Sequence, residues 1–266
     1  MYSIECQIGD NRYTLSSDDD YLQANAIFEP DTVDILSKLI NNQMVIVDVG
    51  ANIGMTTILF SNLGKMVHSF EASPTTYSLL KKNIESNQLE NTKLNCVGLG
   101  SKEFETEITF ATANRSGGFV SNQTSASVEG HTVESVKISR GDDYFLNESN
   151  PIAFDFIKID VEGFELDVLN GLRKSIYKYK PSAFIELNHW CLNAFQRISV
   201  PEFFDFLLDM FPIVLAVQGR EYADLNDRDD RYKVMYEHII QFKFGNLVCA
   251  FKEEQLESFY SNYSHF

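Results

Sequence analysis

The sequence predicts an α/β fold built on a mostly parallel sheet, and two apolar segments carry this prediction. Val45–Val49 is an apolar run of strand length that leads into Gly50 and Gly54 before helix-forming sequence resumes. Met66–Phe70 repeats the pattern and ends at Glu71. Apolar runs bounded by glycine are typical of strands that are covered on both faces by helices. With 266 residues and 44% hydrophobic content, the chain is predicted to form a single domain over residues 1–266.

The N-terminal segment predicts a β-hairpin followed by a helix. Residues 2–16 alternate apolar and polar side chains around Gly9-Asp10-Asn11, which supplies turn chemistry. We therefore interpret residues 1–28 as an N-terminal hairpin extension. Pro30 then starts a helix that leads into the first core strand. After the second strand, Ser73 caps and Pro74 opens the next helix.

The middle of the chain departs from the alternation of strand and helix. Residues 93–99 predict a third strand, and residues 102–140 predict a β insertion or a plain surface excursion. Within this segment, residues 107–111 and 133–139 alternate like strands. Residues 114–118 and 121–130 are polar and predict loops.

The C-terminal half predicts the remaining strands of the sheet. An apolar strand carries Lys158 and leads to Asp160 and Glu162, and residues 183–187 form the next strand. Pro201 starts a helix, and residues 213–217 and 241–251 predict the last two strands. Residues 219–237 are charged and predict a loop or lid.

The first two strand ends also suggest the kind of cofactor. Glu71 follows the second strand, 23 residues after Asp48, where an acidic side chain accepts hydrogen bonds from ribose hydroxyls. The turn after Val49 reads G-A-N-I-G and lacks the G-x-G-x-x-G spacing that brings backbone against a pyrophosphate. S-adenosylmethionine, which has a ribose and an adenine but no phosphate, fits this pattern better than NAD does.

Two motifs resemble a known family. Val47–Gly54 resembles the first motif of class I methyltransferases, and Phe154–Glu165 resembles the D-x-I-K-x-D-V-E-G-x-E signature of FkbM-type methyltransferases. The resemblance runs from about Glu29 to about Lys252. It departs from the family pattern at Gly141, where a leucine usually precedes the two aspartates.

The resemblance implies both a fold and an activity. The fold is a Rossmann-like class I methyltransferase sandwich, with a mostly parallel seven-stranded sheet, an antiparallel last strand and a β insertion beside the site. The activity is S-adenosylmethionine-dependent O-methylation of a sugar, glycan or small metabolite. The candidate cofactor-binding residues are Glu29, Asp48, Gly50, Asn52, Gly54, Glu71, Ala72, Gly98 and Asp160. Glu29 has an alternative role as an acid that complements the dipole of the helix it precedes.

The candidate catalytic residues follow the fourth and fifth strands. They are Asp160, Lys158, His189 and Glu162. His189 has an unperturbed pKa of about 6.5, which suits a general base near neutral pH. Strand alternation nevertheless places it opposite Glu186 unless the chain has already left the strand. Lys158 and Glu162 could alternatively form a structural ion pair.

A divalent cation is a minor alternative at the same place. Asp160, Glu162 and Glu186 could together hold a hard cation that activates a hydroxyl. The segment has no dedicated metal-loop spacing, and carboxylates near a sulfonium already have an electrostatic role. We therefore expect no metal.

Composition limits the partners. A net charge of −16 argues against nucleic acid, whose binding depends on lysine and arginine. Arg115, Arg220, Arg228 and Arg231 could bind a phosphorylated acceptor or simply lie on the surface. The chain has no apolar run of 18 residues and no leader pattern, which predicts a cytoplasmic protein without a membrane span. The oligomeric state is not predicted.

Two other functions remain open. One is a nicotinamide-dependent sugar oxidoreductase or epimerase, which shares the sheet and the ribose-binding acid. G-x-G-x-x-G and a Tyr-x-x-x-Lys pair after the middle strand are missing. The other is a non-catalytic module that binds S-adenosylmethionine. The intact Lys158, Asp160 and Glu162 argue against it.

Overall fold

A computed structural model gives the fold and describes residues 1–24, 26–121 and 130–266. The strands are β1 Tyr2–Ile8, β2 Asn11–Ser17, β3 Val45–Val49, β4 Met66–Phe70, β5 Thr92–Asn95, β6 Gly98–Gly100, β7 Phe104–Ala111, β8 Asn114–Val120, β9 His131–Arg140, β10 Phe156–Ile159, β11 Ser182–Glu186, β12 Ile213–Gln218, β13 Glu221–Asp224, β14 Asn246–Ala250 and β15 Ser264–His265.

The α-helices lie between these strands. They are α1 Tyr21–Ala24, α2 Pro30–Leu39, α3 Met55–Leu63, α4 Pro74–Ser86, α5 Gly141–Phe145, α6 Glu165–Gly171, α7 Arg173–Tyr179, α8 His189–Cys191, α9 Val200–Met210, α10 Arg228–Gln241 and α11 Glu257–Tyr260. A π-helical turn spans Leu192–Gln196 and a 3₁₀ turn spans Glu253–Leu256. Within the described ranges, none of these helices combines the length and apolar character needed to cross a bilayer.

The central sheet has nine strands in the order β15-β13-β12-β14-β11-β10-β3-β4-β5. Strands β11, β10, β3, β4 and β5 pair in parallel, and β14 runs antiparallel to both of its neighbours. The seven predicted strands correspond to β12, β14, β11, β10, β3, β4 and β5, and two further strands extend the sheet at one edge. The additional strands, β13 and β15, are four and two residues long and lie at the sheet edge. Such short polar pairings leave no hydrophobic pattern in the sequence.

Both faces of the parallel strands are buried, as their apolar runs predicted. All four residues of β10 are buried. Val47 and Ile157 point to one hydrophobic core, whereas Ile46 and Phe156 point to the other. The sheet thus separates two apolar layers and holds the ends of its strands rigidly.

The N-terminal hairpin is present and packs against α4. Strands β1 and β2 pair antiparallel, with Tyr2 opposite Ser17. The buried side chain of Asn83 accepts a hydrogen bond from the Ser16 N–H at 2.7 Å and donates to the Ser16 carbonyl at 3.1 Å. It also donates to the carbonyl of Ile53 at 2.9 Å. One amide therefore joins the hairpin to the glycine turn that follows β3.

The predicted third strand is in fact two strands in different sheets. β5 is an edge strand of the central sheet, while β6 is an edge strand of a four-stranded sheet of order β6-β9-β7-β8. Residues 114–118 were predicted as a loop and lie in β8 instead. That strand contains Ser116, Gly117 and Gly118, so its sequence has turn composition although β7 pairs with it. Of the predicted loop 121–130, residues 122–129 lie outside the described residues.

The charged segment 219–237, predicted as a loop or lid, has regular secondary structure and is not a loop. It forms β13 and most of α10. Asp227 caps the helix by accepting from the N–H groups of Asp229 and Asp230. The helix is mostly solvated, with Val234 and His238 its buried residues, so the apolar periodicity that would predict it is missing. The last core strand accordingly starts at Asn246, later than the predicted residue 241.

Asn83→Ala tests the link between hairpin and turn. Removing the amide leaves the Ser16 and Ile53 groups without their partner inside the protein, which should lower the free energy of unfolding by about 3 kcal/mol. Urea denaturation measures this change. Asn87→Ala is the matched control, because Asn87 bonds the exposed backbone of Thr14 and its loss should cost less than about 1 kcal/mol. Equal losses for the two variants would contradict this account.

Candidate functional site

A cavity of about 270 Å³ opens where β3, β4 and β10 end. A smaller chamber of about 100 Å³ adjoins it. Glu29, Gly50, Asn52, Asp160 and Glu186 line both. Ligands of open α/β sheets bind at this edge. The two chambers are therefore the candidate site.

The structure brings most of the predicted residues to the cavity. Glu29, Gly50, Asn52, Glu71, Ala72, Gly98, Asp160 and Glu162 line the larger chamber, and Lys158 lines the smaller one. Asp48, Gly54 and His189 line neither chamber. Glu186 lines both chambers, although the sequence offered it only as an acid at the end of the fifth strand and as a possible metal ligand. Glu165, which belongs to the family signature, lines neither chamber.

The turn after β3 needs glycine for conformation and for space. Gly50 has φ +82°, and a Cβ there would lie 1.8 Å from the carbonyl oxygen of Asp160. Gly54 has φ +101° and precedes the first residue of α3. Gly54 lines neither chamber: its left-handed backbone conformation lets α3 begin, and a Cβ there would meet Leu80 at 2.7 Å. The turn thereby exposes backbone to the smaller chamber.

Glu71 is the buried acid beside this turn. Its carboxylate accepts the N–H of Asn52 at 2.9 Å and the N–H of Ser73 at 2.8 Å. Burial raises the pKa of Glu71 to about 7, although both N–H groups and Lys158 oppose the rise. The carboxylate is thus fixed in orientation and lines the cavity with acceptor capacity left for a ligand.

Lys158 connects the acidic groups behind the turn. Its Nζ lies 2.9 Å from Asp160 and 3.9 Å from Asp48, and it donates to the Gly50 carbonyl at 3.3 Å. Asp48 was predicted to bind the cofactor, but it is fully buried and accepts from Thr57 Oγ1 at 2.7 Å. Its place in the structure is beneath the turn, as a partner of Lys158.

The ionisation of these groups follows from their pairing. Burial lowers the pKa of Lys158, but the nearby carboxylates of Asp160 and Asp48 raise it by more than burial lowers it. The ammonium is therefore charged. Burial raises the pKa of Asp160, and Lys158 more than reverses this rise. For the enclosed Asp48, burial prevails and its pKa is raised. Asp160 is consequently the ionised partner that faces the chambers.

Three carboxylates converge at the shared wall of the chambers. Asp160, Glu162 and Glu186 each offer an oxygen within 4.8 Å of the others. Burial and the charge of Asp160 raise the pKa of Glu162 to about 7, and the same causes raise that of Glu186. The ammonium of Lys158 at Asp160 already supplies one positive charge to this cluster. That charge opposes a divalent cation, and the metal-free site remains our prediction.

Glu162 is held in position by a turn that Glu165 organises. Glu162 has φ +51°, an uncommon backbone conformation for a residue with a side chain. Glu165 accepts the N–H groups of Val161 and Gly163 at 3.2 and 3.0 Å. Glu162 itself accepts from Cys191 Sγ at 3.2 Å and Asn188 Nδ2 at 3.4 Å. Hydrogen bonds with the side chains of Glu165, Cys191 and Asn188 thus stabilise this uncommon backbone conformation.

The chain leaves the sheet at Glu186, three residues before His189. Asn188 caps α8, so strand alternation no longer sets the direction of His189. Its ring packs against His238 and Phe242, with centroids 4.9 and 4.6 Å away. Burial lowers its pKa. Because it lines neither chamber, we do not assign the base to His189.

The β insertion forms the outer wall of the larger chamber. Ile108, Phe110, Val120 and Ile138 give it an apolar surface. Arg115 also lines the chamber, but its guanidinium is bound to Asp18 at 2.6 and 2.7 Å. The sequence listed Arg115 as a possible phosphate ligand. Its charge is already paired within the protein.

Comparison with known proteins also indicates a methyltransferase. A family described as "Methyltransferase FkbM domain" matches residues 48–231. A curated protein named "Methyltransferase 1" from Beauveria bassiana (strain ARSEF 2860) is 28% identical over 159 residues, covering 53% of this chain and 64% of that protein. The chain thus spans less than two thirds of this relative. The family match confirms the predicted resemblance.

Two solved structures are similar at low identity. A methyltransferase FkbM from Methylobacillus flagellatus KT is 19% identical with a TM-score of 0.45, over 65% of this chain and 40% of that chain. A 16S rRNA N2 G1207 methyltransferase from T. thermophilus, in complex with AdoMet and guanosine, is 13% identical with a TM-score of 0.48, over 94% and 50%. The predicted Rossmann-like fold is confirmed by the family match and by the strand order of this chain's own sheet.

Lys158→Met tests the buried ion pairs. The variant leaves Asp48 and Asp160 without their cation, and breaking a buried pair in this way costs about 3–5 kcal/mol of unfolding free energy. Denaturant titration measures the loss. Adding Asp48→Asn replaces the buried acid that has lost its partner with a neutral side chain and should restore part of the stability. A loss below about 1 kcal/mol for Lys158→Met would show that the pairs are not important for folding.

Proposed function

Because the chain belongs to the methyltransferase FkbM domain family, we propose that it binds S-adenosylmethionine and methylates a hydroxyl of a sugar, glycan or small metabolite. The observation that carries the proposal is the buried Glu71 carboxylate, fixed by the Asn52 and Ser73 N–H groups beside a turn without pyrophosphate spacing. Such a carboxylate suits the two ribose hydroxyls of an adenosine ligand.

The remaining residues fit the rest of this cofactor. The smaller chamber contains Met55 and Thr56 of the first turn of α3, where the N–H groups of a helix suit a carboxylate. Glu29 and Asp160 line the same chamber and suit an ammonium group. The apolar insertion wall of the larger chamber suits a flat ring. When bound, the cofactor supplies an electrophilic methyl group.

Glu162 is our candidate for the general base. A base works best when its pKa is near the working pH, and the pKa of Glu162 is raised to about 7. Asp160 is less suitable, because Lys158 keeps its pKa low. Glu162 takes the proton of the acceptor hydroxyl. The ion pair of Lys158 and Asp160 fixes the position of the chamber floor. The cluster of acids also suits the multiple hydroxyls of a sugar.

The other hypotheses have less support. A nicotinamide oxidoreductase needs room for a pyrophosphate at the turn, where the backbone of Asp160 closes against Gly50. A non-catalytic module leaves the raised pKa of Glu162 without a role. The charge of −16 still argues against a nucleic-acid acceptor. A cytoplasmic location also remains part of the proposal.

Calorimetric titration tests the cofactor. S-adenosylmethionine and S-adenosylhomocysteine should bind, and NAD should not. Ribose hydroxyls donate to ionised Glu71, whose pKa is about 7 without ligand, so the affinity for S-adenosylhomocysteine should rise between pH 6 and 8. The rise should approach tenfold, roughly the change in the ionised fraction. Glu71→Gln should weaken binding and reduce this dependence. Binding of NAD alone would overturn the proposal.

Glu162→Gln tests the base. With an acceptor identified by screening hydroxylated sugars and metabolites, kcat should fall by about 10²–10⁴-fold, because proton removal is lost. The dissociation constant for S-adenosylhomocysteine should change only slightly. The exposed Glu103 provides a control, since Glu103→Gln removes the same charge at a residue that lines neither chamber. An unchanged kcat in Glu162→Gln would exclude Glu162 as the base.

A further inference from the structure

A carboxylate from the β insertion occupies the N-terminus of α4. Glu134 accepts Ser73 Oγ at 2.6 Å and the N–H of Thr75 at 3.4 Å, and it also accepts the Thr75 hydroxyl. The helix that begins here is 13 residues long. Its dipole and free N–H groups favour an anion at this end. Here the anion is part of the protein.

The groups around Glu134 are those that bind phosphate in other proteins. A helix N-terminus, the hydroxyls of Ser73, Thr75 and Thr76, and the guanidinium of Arg115 lie together. Arg115 donates to the hydroxyl of Thr75 at 2.7 Å. Backbone N–H groups and hydroxyls are usual phosphate ligands. The guanidinium of Arg115, which is paired with Asp18, contributes by holding the Thr75 hydroxyl. Glu134 fills the position where a phosphate would gather these donors.

This position adjoins the ribose-binding acid. Ser73 joins the two carboxylates, because its N–H donates to Glu71 and its hydroxyl donates to Glu134. Ser73, Thr76, Arg115 and Glu71 line the same chamber. A ribose bound at Glu71 would lie beside Ser73, whose hydroxyl donates to Glu134. A phosphate on that ribose would compete with Glu134 for this hydroxyl.

We propose that Glu134 determines specificity at the cofactor site by taking the place of a ribose phosphate. The site then accepts adenosine ligands with free ribose hydroxyls and rejects those with a 2′- or 3′-phosphate. This inference rests on the proposed function, because it requires the ribose to bind at Glu71. Glu71 repels phosphate as well, and Glu134 additionally occupies the donors that would compensate for that repulsion.

A purely structural role for Glu134 makes a different prediction. If Glu134 only fastens the insertion to α4, its loss weakens all adenosine ligands alike. If it replaces a phosphate, its loss improves phosphorylated ligands relative to unphosphorylated ones. The ratio of the two affinities therefore separates the alternatives.

The experiment compares Glu134→Ala, Glu134→Gln and wild type by calorimetric titration with four probes. These are S-adenosylhomocysteine, adenosine, adenosine 2′-phosphate and adenosine 3′-phosphate. In Glu134→Ala, at least one phosphate should gain about tenfold in affinity relative to adenosine, the order expected for losing one like charge and freeing its donors. Glu134→Gln keeps the size of the side chain and should give a smaller gain. Exposed Glu107 on β7 is the control, as Glu107→Gln.

The outcomes distinguish this inference from the proposed function. Suppose that wild type binds S-adenosylhomocysteine and that both Glu134 variants have the same ratio of adenosine-phosphate affinity to adenosine affinity as wild type. The role of Glu134 is then rejected, and the proposed function is unaffected. If wild type does not bind S-adenosylhomocysteine, the proposed function falls and this inference with it. If Glu134→Ala does not fold, an unchanged ratio in Glu134→Gln is sufficient to reject the proposal. A gain equal to that of Glu107→Gln also rejects it.

Discussion

The contact of Lys158 with Asp160 and Asp48 is the interaction on which the candidate site depends. Lys158 and Asp48 are opposite each other on the paired strands β10 and β3, so the cation joins the two central strands where they end. The same Nζ donates to Gly50, which fixes the turn above. A buried lysine is stable only when paired, and each acid near it is stable only because of it. Loss of Lys158 would therefore disturb the turn at Gly50, the floor of the chamber and the ionisation of Asp160 at the same time.

The sequence predicted the structure best where a short run of residues carries the mark of its surroundings in the fold. The apolar runs at β3, β4 and β10 predicted buried parallel strands because burial on both faces leaves no polar alternation. Gly50 was correctly placed at the cavity, since close approach to Asp160 excludes any Cβ there. The Ser73 cap was also confirmed, by its acceptance of the Thr76 N–H at 3.1 Å. Each of these signals depends on neighbours within a few residues.

Sequence reasoning failed where long-range pairing decides the structure. Nothing local shows that β8 pairs with β7 despite its glycines, or that β13 and β15 extend the sheet. Asp48 belongs to the motif but supports Lys158 from below, a distinction that only three-dimensional burial reveals. His189 had the most suitable unperturbed pKa, yet the end of β11 turns it toward His238. Burial and the charge of Asp160 raise the pKa of Glu162, and burial depends on the folded chain, so a table of side-chain pKa values does not contain it.

A crystal structure of the complex with S-adenosylhomocysteine would show directly whether this cavity binds the cofactor. In that complex we expect the ribose hydroxyls at the Glu71 carboxylate, the ammonium between Glu29 and Asp160, and the sulfur beside Glu162. The side chain of Glu134 should keep its bonds to Ser73 and Thr75. A ligand bound with its ribose away from Glu71, or with its sulfur remote from the three acids, would contradict the central claim that this cavity is a methyl-transfer site.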